Sequence, residues 1–213
     1  MGIGKEIRIS DNGEKLLLLK NGDFLLEPSY FNQGFCESDE IKLRESVVRR
    51  LEKARELLPD GYDFKIFDGY RLLDTQEKLF SRLYNHYREH NPDWDEQVLN
   101  EATENFVATP RYELGHPSPH NTGGAVDLTV VDERGRDLDM GVAFDEFTEE
   151  SFTNHFEYRN KEVHENRMLL KCVMEEAGFI NFENEWWHFS YGDQMWAFKK
   201  ARNYAIYGSV ELT

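Results

Sequence analysis

The chain has 213 residues, enough for one domain spanning 1–213 that buries roughly 70% of the surface its unfolded form exposes. Its 41 acidic residues against 25 basic ones give a formal charge of −16, which repels phosphate backbones and anionic lipid and argues against nucleic-acid and membrane partners. No run approaches the roughly 18 apolar residues of a membrane span, and Met1-Gly2-Ile3-Gly4-Lys5-Glu6 leads into polar sequence, so a cytoplasmic location is expected. Cys36 and Cys172 lie outside any Cys-x-x-Cys pattern, which excludes zinc ribbons and thioredoxin-like motifs and reads as two reduced, buried thiols. Nothing in the sequence reports the oligomeric state.

In chain order, the runs Leu16-Leu17-Leu18-Leu19 and Phe24-Leu25-Leu26 flank Asn21-Gly22, the pattern of a β-hairpin. Residues 28–40 hold Pro28 and Gly34 and read as a loop. From Ile41 to Leu58 the apolar residues Leu43, Val47, Leu51, Ala54 and Leu58 recur at steps of three and four, predicting a helix stopped by Pro59-Asp60-Gly61. Tyr62 to Asp68 alternates like a strand and delivers Gly69-Tyr70-Arg71 at its end. Asp74-Thr75-Gln76-Glu77 has the form of an N-cap with its reciprocal glutamate, opening a helix to about His90. Within it His86-Tyr87-Arg88-Glu89-His90 fits an inverted zinc-protease pattern. The apolar stripe Leu79, Phe80, Leu83, Tyr84 and Tyr87 leaves both histidines at its edge, however, and they read as polar residues of a helix end. A second helix is expected from about Trp94 to Phe106.

Residues 107–124 form a loop rich in proline and glycine that contains His116 and His120. Ala125 to Val131 reads as a strand with Asp127, Thr129 and Val131 on one face. An unpaired acid inside so apolar a run is costly, and metal ligation removes the cost. Asp132-Glu133-Arg134-Gly135 is a turn leading to Asp139-Met140-Gly141 and Phe144-Asp145; residues 148–161 read as a loop and Val163 to Gly178 as a helix. Glu185-Trp186-Trp187-His188-Phe189-Ser190-Tyr191 is β-prone. In a regular strand Glu185 and His188 face opposite sides, so a shared site demands a turn or bulge at Glu185-Trp186. Met195 to Tyr207 suits a docked helix or strand.

Two imidazoles and one carboxylate, His120, Asp127 and His188, are a ligand set that holds a catalytic Zn2+, one per chain, and leaves a position for water. Glu185 is placed to take a proton from that water, and Arg71 is the cation for the developing oxyanion. Ser118, His120 and Asp127 also offer the residue types of a serine triad, but no Gly-x-Ser-x-Gly elbow is present.

The segment Ser118-x-His120-x-x-Gly123-x-Ala125-x-Asp127, followed by Glu185-x-x-His188, resembles the signature of D-alanyl-D-alanine dipeptidases of the VanX type. Asp68-Gly69-Tyr70-Arg71 and Asp139-Met140-Gly141 with Phe144-Asp145 resemble the same subgroup in the same order. The resemblance implies an α+β single domain whose central, mainly antiparallel sheet carries the zinc site between flanking helices, a fold shared with the Hedgehog signalling domain. It further implies zinc-dependent hydrolysis of the small dipeptide D-Ala-D-Ala, with Ser118 helping to hold the substrate and Asp145 contacting its amino group. Tyr30, Phe31, Asn32 and Gly34 match only loosely the family's aromatic and glycine motif that closes the pocket. The alternatives are a D,D-carboxypeptidase or L,D-endopeptidase acting on peptidoglycan peptides, and a non-catalytic zinc-binding interaction domain.

Overall fold

The strand Ala125–Val131 is the axis around which the other elements assemble. The computed structural model describes residues 7–111 and 115–210. In chain order its elements are β1 (Arg8–Ile9), β2 (Leu16–Leu18), β3 (Leu25–Leu26), α1 (Ser29–Asn32), β4 (Lys42–Arg44), α2 (Glu45–Arg55), β5 (Asp63–Asp68), α3 (Leu73–His90) and α4 (Glu96–Glu104). There follow β6 (Ala125–Val131), α5 (Lys161–Glu176), β7 (Ile180–Asn181), β8 (His188–Ser190), α6 (Gln194–Lys199) and β9 (Tyr204–Ala205). The main sheet has the order β3-β5-β6-β8-β7, with only the β3-β5 pair parallel. The expected α+β architecture with a mainly antiparallel sheet is what the chain adopts.

All seven residues of β6 are buried, as its apolar run requires. Alternation then splits the sheet into two faces. Phe64 and Ile66 of β5 join Val126, Leu128 and Val130 of β6 in a core with Val47, Leu51 and Ala54 of α2 and Leu170, Val173 and Met174 of α5. Each such fully buried large side chain contributes about 1.5–3 kcal/mol relative to exposure. The opposite face carries Asp127 and is walled by α3 and the loops around it, which pack through Tyr30, Leu79, Leu83 and Val107.

Several local expectations change. The expected hairpin does not form: β2 pairs antiparallel with β4, whereas β3 pairs in parallel with β5. The Asn21-Gly22 turn is present, with Gly22 at φ 109°, but it passes the chain between two sheets while Leu19 and Phe24 anchor it in the core. The helix expected from Ile41 begins at Glu45, because Lys42–Arg44 is drawn into pairing with β2. Buried Arg44 fixes that segment by donating to Thr122 O at 2.8 Å and Gly208 O at 3.2 Å. Helix α3 starts at Leu73, with no side-chain cap; Asp74 lies in its first turn and pairs with Lys78 instead. The 28–40 loop contains the single turn α1, and of the two free cysteines Cys172 is exposed and Cys36 half-buried. Among the described residues no helix is long and apolar enough to cross a membrane.

Candidate active site

Strand pairing builds the first half of the site. In the β6-β8 register Asp127 stands opposite His188, so the two side chains share one face of the sheet. His120 comes from a one-turn 3-10 helix, His120–Thr122, that ends on Gly123 in the left-handed region at φ 71°. A turn brings in Glu185: its amide donates to Phe182 O at 2.9 Å, and the His188 amide donates to Glu185 O at 3.3 Å. The odd spacing of Glu185 and His188 is thereby converted into a shared face, and β8 begins only at His188. Glu185 Oε2 lies 3.8 Å from His188 Nδ1.

Three of these groups converge. His120 Nε2 lies 3.1 Å from His188 Nδ1 and 3.3 Å from Asp127 Oδ2, and His188 Nδ1 lies 3.1 Å from Asp127 Oδ1. The carboxylate meets the two rings through different oxygens; taken one ligand atom per residue, the three groups lie within 4.8 Å of one another, within reach of a single ion. The protons fit as well. The Gly69 carbonyl, 2.8 Å from His120 Nδ1, can only accept, which leaves Nε2 of the neutral ring bare toward the other two groups. Among the described residues this is the one cluster of three or more such groups able to hold a metal ion. Burial raises the Asp127 carboxyl, but His120 and His188 outweigh it and hold the group below the usual carboxylate range. Burial pushes His188 below the ordinary imidazole value despite Asp127, favouring the neutral form that ligation needs.

Gly69 has a second part in this. A Cβ there would stand 2.6 Å from Lys42 O and 3.0 Å from Ile41 Cγ2, so the chain leaving β5 can pass this close to β4 only without a side chain.

Glu185 is buried, and burial together with the charges of Asp127 and Asp145 raises its pKa well above the usual carboxylate value, with Arg71 opposing. The Arg71 guanidinium donates to Asp68 Oδ2 from Nε at 2.9 Å and Nη2 at 2.8 Å, to Gln76 Oε1 at 2.9 Å, and to Asp127 Oδ2 at 3.4 Å. It also lies over the Tyr30 ring, 4.6 Å from the centroid. Asp145 adopts φ 66°, accepts from Tyr30 Oη at 2.9 Å and is ion-paired with Arg82. Burial raises its pKa while Arg82 works against the rise. Ser118 is buried, and its hydroxyl has no partner among the described residues.

All seven residues singled out in the sequence, Arg71, Ser118, His120, Asp127, Asp145, Glu185 and His188, line a single cleft of about 1090 Å³. His116 lines it too, while His86 and His90 are exposed on α3. Sequence reasoning gave no role to Asp68, Gln76, Arg82, Ser190 or Asp193. Arg82 meets Asp145 from a distant element, whereas Asp68 and Gln76 lie near Arg71 in the chain and Ser190 and Asp193 near His188; of these only Asp68 carried a signal, through its place in the Asp-Gly-Tyr-Arg motif.

A profile of the Peptidase_M15 family, described as D-ala-D-ala dipeptidase, matches residues 36–206. The chain belongs to this family. As a Peptidase_M15 member it is a metallopeptidase. It is 32% identical to a D-alanyl-D-alanine dipeptidase of Synechocystis sp., the match covering 96% of this chain and 95% of that protein. It is also 31% identical to a D-alanyl-D-alanine dipeptidase of Enterococcus faecium, over 70% of this chain and 72% of the relative. Among solved structures, the vancomycin-resistance D,D-pentapeptidase VanY in complex with Zn(II) shares the fold of this family member, with a TM-score of 0.52 and 15% identity over 95% of this chain and 96% of the other. VanYB in complex with D-alanine-D-alanine does so with a TM-score of 0.50 and 13% identity over 93% of each chain.

Proposed function

We propose that the protein hydrolyses the dipeptide D-Ala-D-Ala to free D-alanine, using one Zn2+ per chain held by His120, Asp127 and His188. The observation that carries this reading is the convergence of those three buried groups, with closest approaches of 3.1 to 3.3 Å, and the Gly69 carbonyl on His120 Nδ1 that turns Nε2 toward the other two. The family and the names of its relatives support the substrate, and the Zn(II) complex of VanY supports the metal. When bound, zinc supplies a Lewis acid that polarises a carbonyl and lowers the pKa of water to roughly 7.

The remaining work falls to the chain's own side chains. Glu185 takes the proton of the attacking water at its carboxylate and returns it to the leaving amine; its raised proton affinity suits a group that must do both. Arg71 already donates to Asp68, Gln76 and Asp127, which leaves one Nη1–H of its five for the oxyanion or the terminal carboxylate. Its orientation is fixed in advance by those carboxylates and the Tyr30 face, so little reorganisation is needed when charge develops. Asp145 receives the substrate's ammonium, and the unpartnered Ser118 hydroxyl meets the peptide. A free dipeptide also suits a chain of charge −16 better than an anionic polymer does, and the cytoplasm is the compartment we propose.

The test is release of D-alanine by zinc-loaded protein from D-Ala-D-Ala, with N-acetylated D-Ala-D-Ala and a longer muropeptide alongside. Cleavage of the free dipeptide alone supports the reading. Cleavage of the blocked or longer substrates moves the protein to the carboxypeptidase or endopeptidase alternative, and no cleavage by fully metallated protein overturns it.

A further inference from the structure

His188 is held from behind by groups that the proposed reaction does not use. Its Nε2 lies 3.2 Å from Ser190 Oγ, and Ser190 is fully buried. The carboxylate of Asp193, 2% exposed, stands beside the same hydroxyl, which works against the rise in its pKa that burial imposes. No lysine or arginine among the described residues pairs with Asp193. Asp193 Oδ1 accepts the Trp196 amide at 2.7 Å as the cap of α6, and Oδ2 is buried with no donor in place among the described residues. Capping α6 needs one oxygen and no charge, since asparagine or serine caps equally well. The second, buried oxygen is left over from that role.

A serine hydroxyl has one proton to give and lone pairs with which to accept. Beside a carboxylate that can only accept, Ser190 gives its proton to Asp193, and its lone pair then takes the Nε2–H of His188. The ring's single proton is thereby held on Nε2, and Nδ1, the atom facing Asp127 and His120, is bare. We infer that Ser190 and Asp193 are positioning residues that fix His188 in the tautomer able to ligate the metal through Nδ1. The inference rests on the zinc reading above. Without the relay, Ser190 is free to donate to Nε2. The ring proton then moves to Nδ1, where a hydrogen bond to Asp127 closes the site. The two histidines thus reach one centre by opposite nitrogens: His120 through Nε2 with its proton on the Gly69 carbonyl, His188 through Nδ1 with its proton on a hydroxyl backed by a carboxylate.

The test uses the full chain with Ser190→Ala, Ser190→Thr, Asp193→Asn and the Ser190→Ala/Asp193→Asn double variant. Zinc affinity is read by chelator competition, the His188 tautomer by 15N NMR of the metal-free protein, and folding by thermal melting. Ser190→Ala and Asp193→Asn each weaken zinc binding roughly 10–100-fold. The double variant is no weaker than the worse single one, because the two groups act in series. Ser190→Thr restores affinity, and metal-free Asp193→Asn melts with the wild type because the cap is kept. In both weakened variants the His188 proton shifts toward Nδ1. Wild-type affinity or an unchanged tautomer in either single variant overturns the inference, as do losses that add. His188→Ala separates the two readings. If it abolishes tight zinc binding while Ser190→Ala and Asp193→Asn do not, the relay alone fails; if it too binds zinc like the wild type, the zinc reading fails.

Discussion

His86 and His90 stand one helical turn apart on α3 with ring centroids at 4.2 Å; His120 and His188 come from opposite ends of the sheet's chain path and bring theirs to 4.8 Å. By distance the first pair is the tighter, and it alone sits in a contiguous His-x-x-Glu-His pattern. It is exposed, however, and His90 donates Nδ1 to the His86 carbonyl at 2.8 Å, a helix-end contact that asks for no cation. The second pair is buried beside a carboxylate, in a place where water cannot solvate the charge. Proximity of imidazoles is common; what distinguishes a metal site is burial together with converging acceptors.

The largest expected effect separates chemistry from ligation at the second pair. Glu185→Ala loses about 100- to 10,000-fold in turnover of D-Ala-D-Ala while zinc content, measured by atomic absorption, stays at one per chain. Next, Asp127→Ala and His188→Ala lose tight zinc binding in the same chelator assay, and His86→Ala and His90→Ala do not; retention of zinc by the first two breaks the comparison outright. Arg71→Lys folds but turns over roughly 100-fold more slowly, because an ammonium cannot keep Asp68, Gln76 and Asp127 together in one plane.

A smaller effect concerns pH. In the folded, metal-free protein the Glu185 pKa lies above its unfolded value of 4.5. As pH rises above that value the unfolded chain releases the proton and the folded one retains it, so Glu185 subtracts from stability as pH increases through this window. Metal-free Glu185→Gln therefore melts above metal-free wild type at neutral pH, with the gap closing toward pH 4. A gap that widens on acidification has the wrong sign for this account. The smallest effect is at the exposed pair, where His86→Ala and His90→Ala shift stability by no more than about 0.5 kcal/mol in urea titrations.

The same contrast explains how much was legible in the sequence. The turn at Glu185 follows from parity: two residues three apart cannot share a strand face, so one site for both requires the chain to bend. Strand β6 was readable because seven apolar-flanked positions leave Asp127 no other fate than pairing. The hairpin at Asn21-Gly22 was misread because turn chemistry reports a reversal and not the strands that receive its ends; β4 and β5, which do so, are supplied by later sequence. The cap at Asp74 failed for a related reason. Gln76 is buried and bridges Arg71 Nη1 to Ala108 O, so the first turn of α3 is committed to the site, and the N-cap falls at Leu72, two residues before the one its local signal asks for. Arg82 gave no signal, since an ion pair between distant elements leaves no local pattern, and Asp193, though close to His188 in the chain, reads locally as no more than a helix cap.

Gly69 carries no chemistry, yet the space it leaves lets the chain leaving one strand slide under another until its carbonyl meets His120. A methyl group here would act as a shim, lifting the backbone oxygen off the imidazole and freeing the ring to exchange its proton between nitrogens. Tolerance to substitution and participation in the reaction are therefore uncoupled at this position: it is as closed to change as a ligand, though it does not line the cleft.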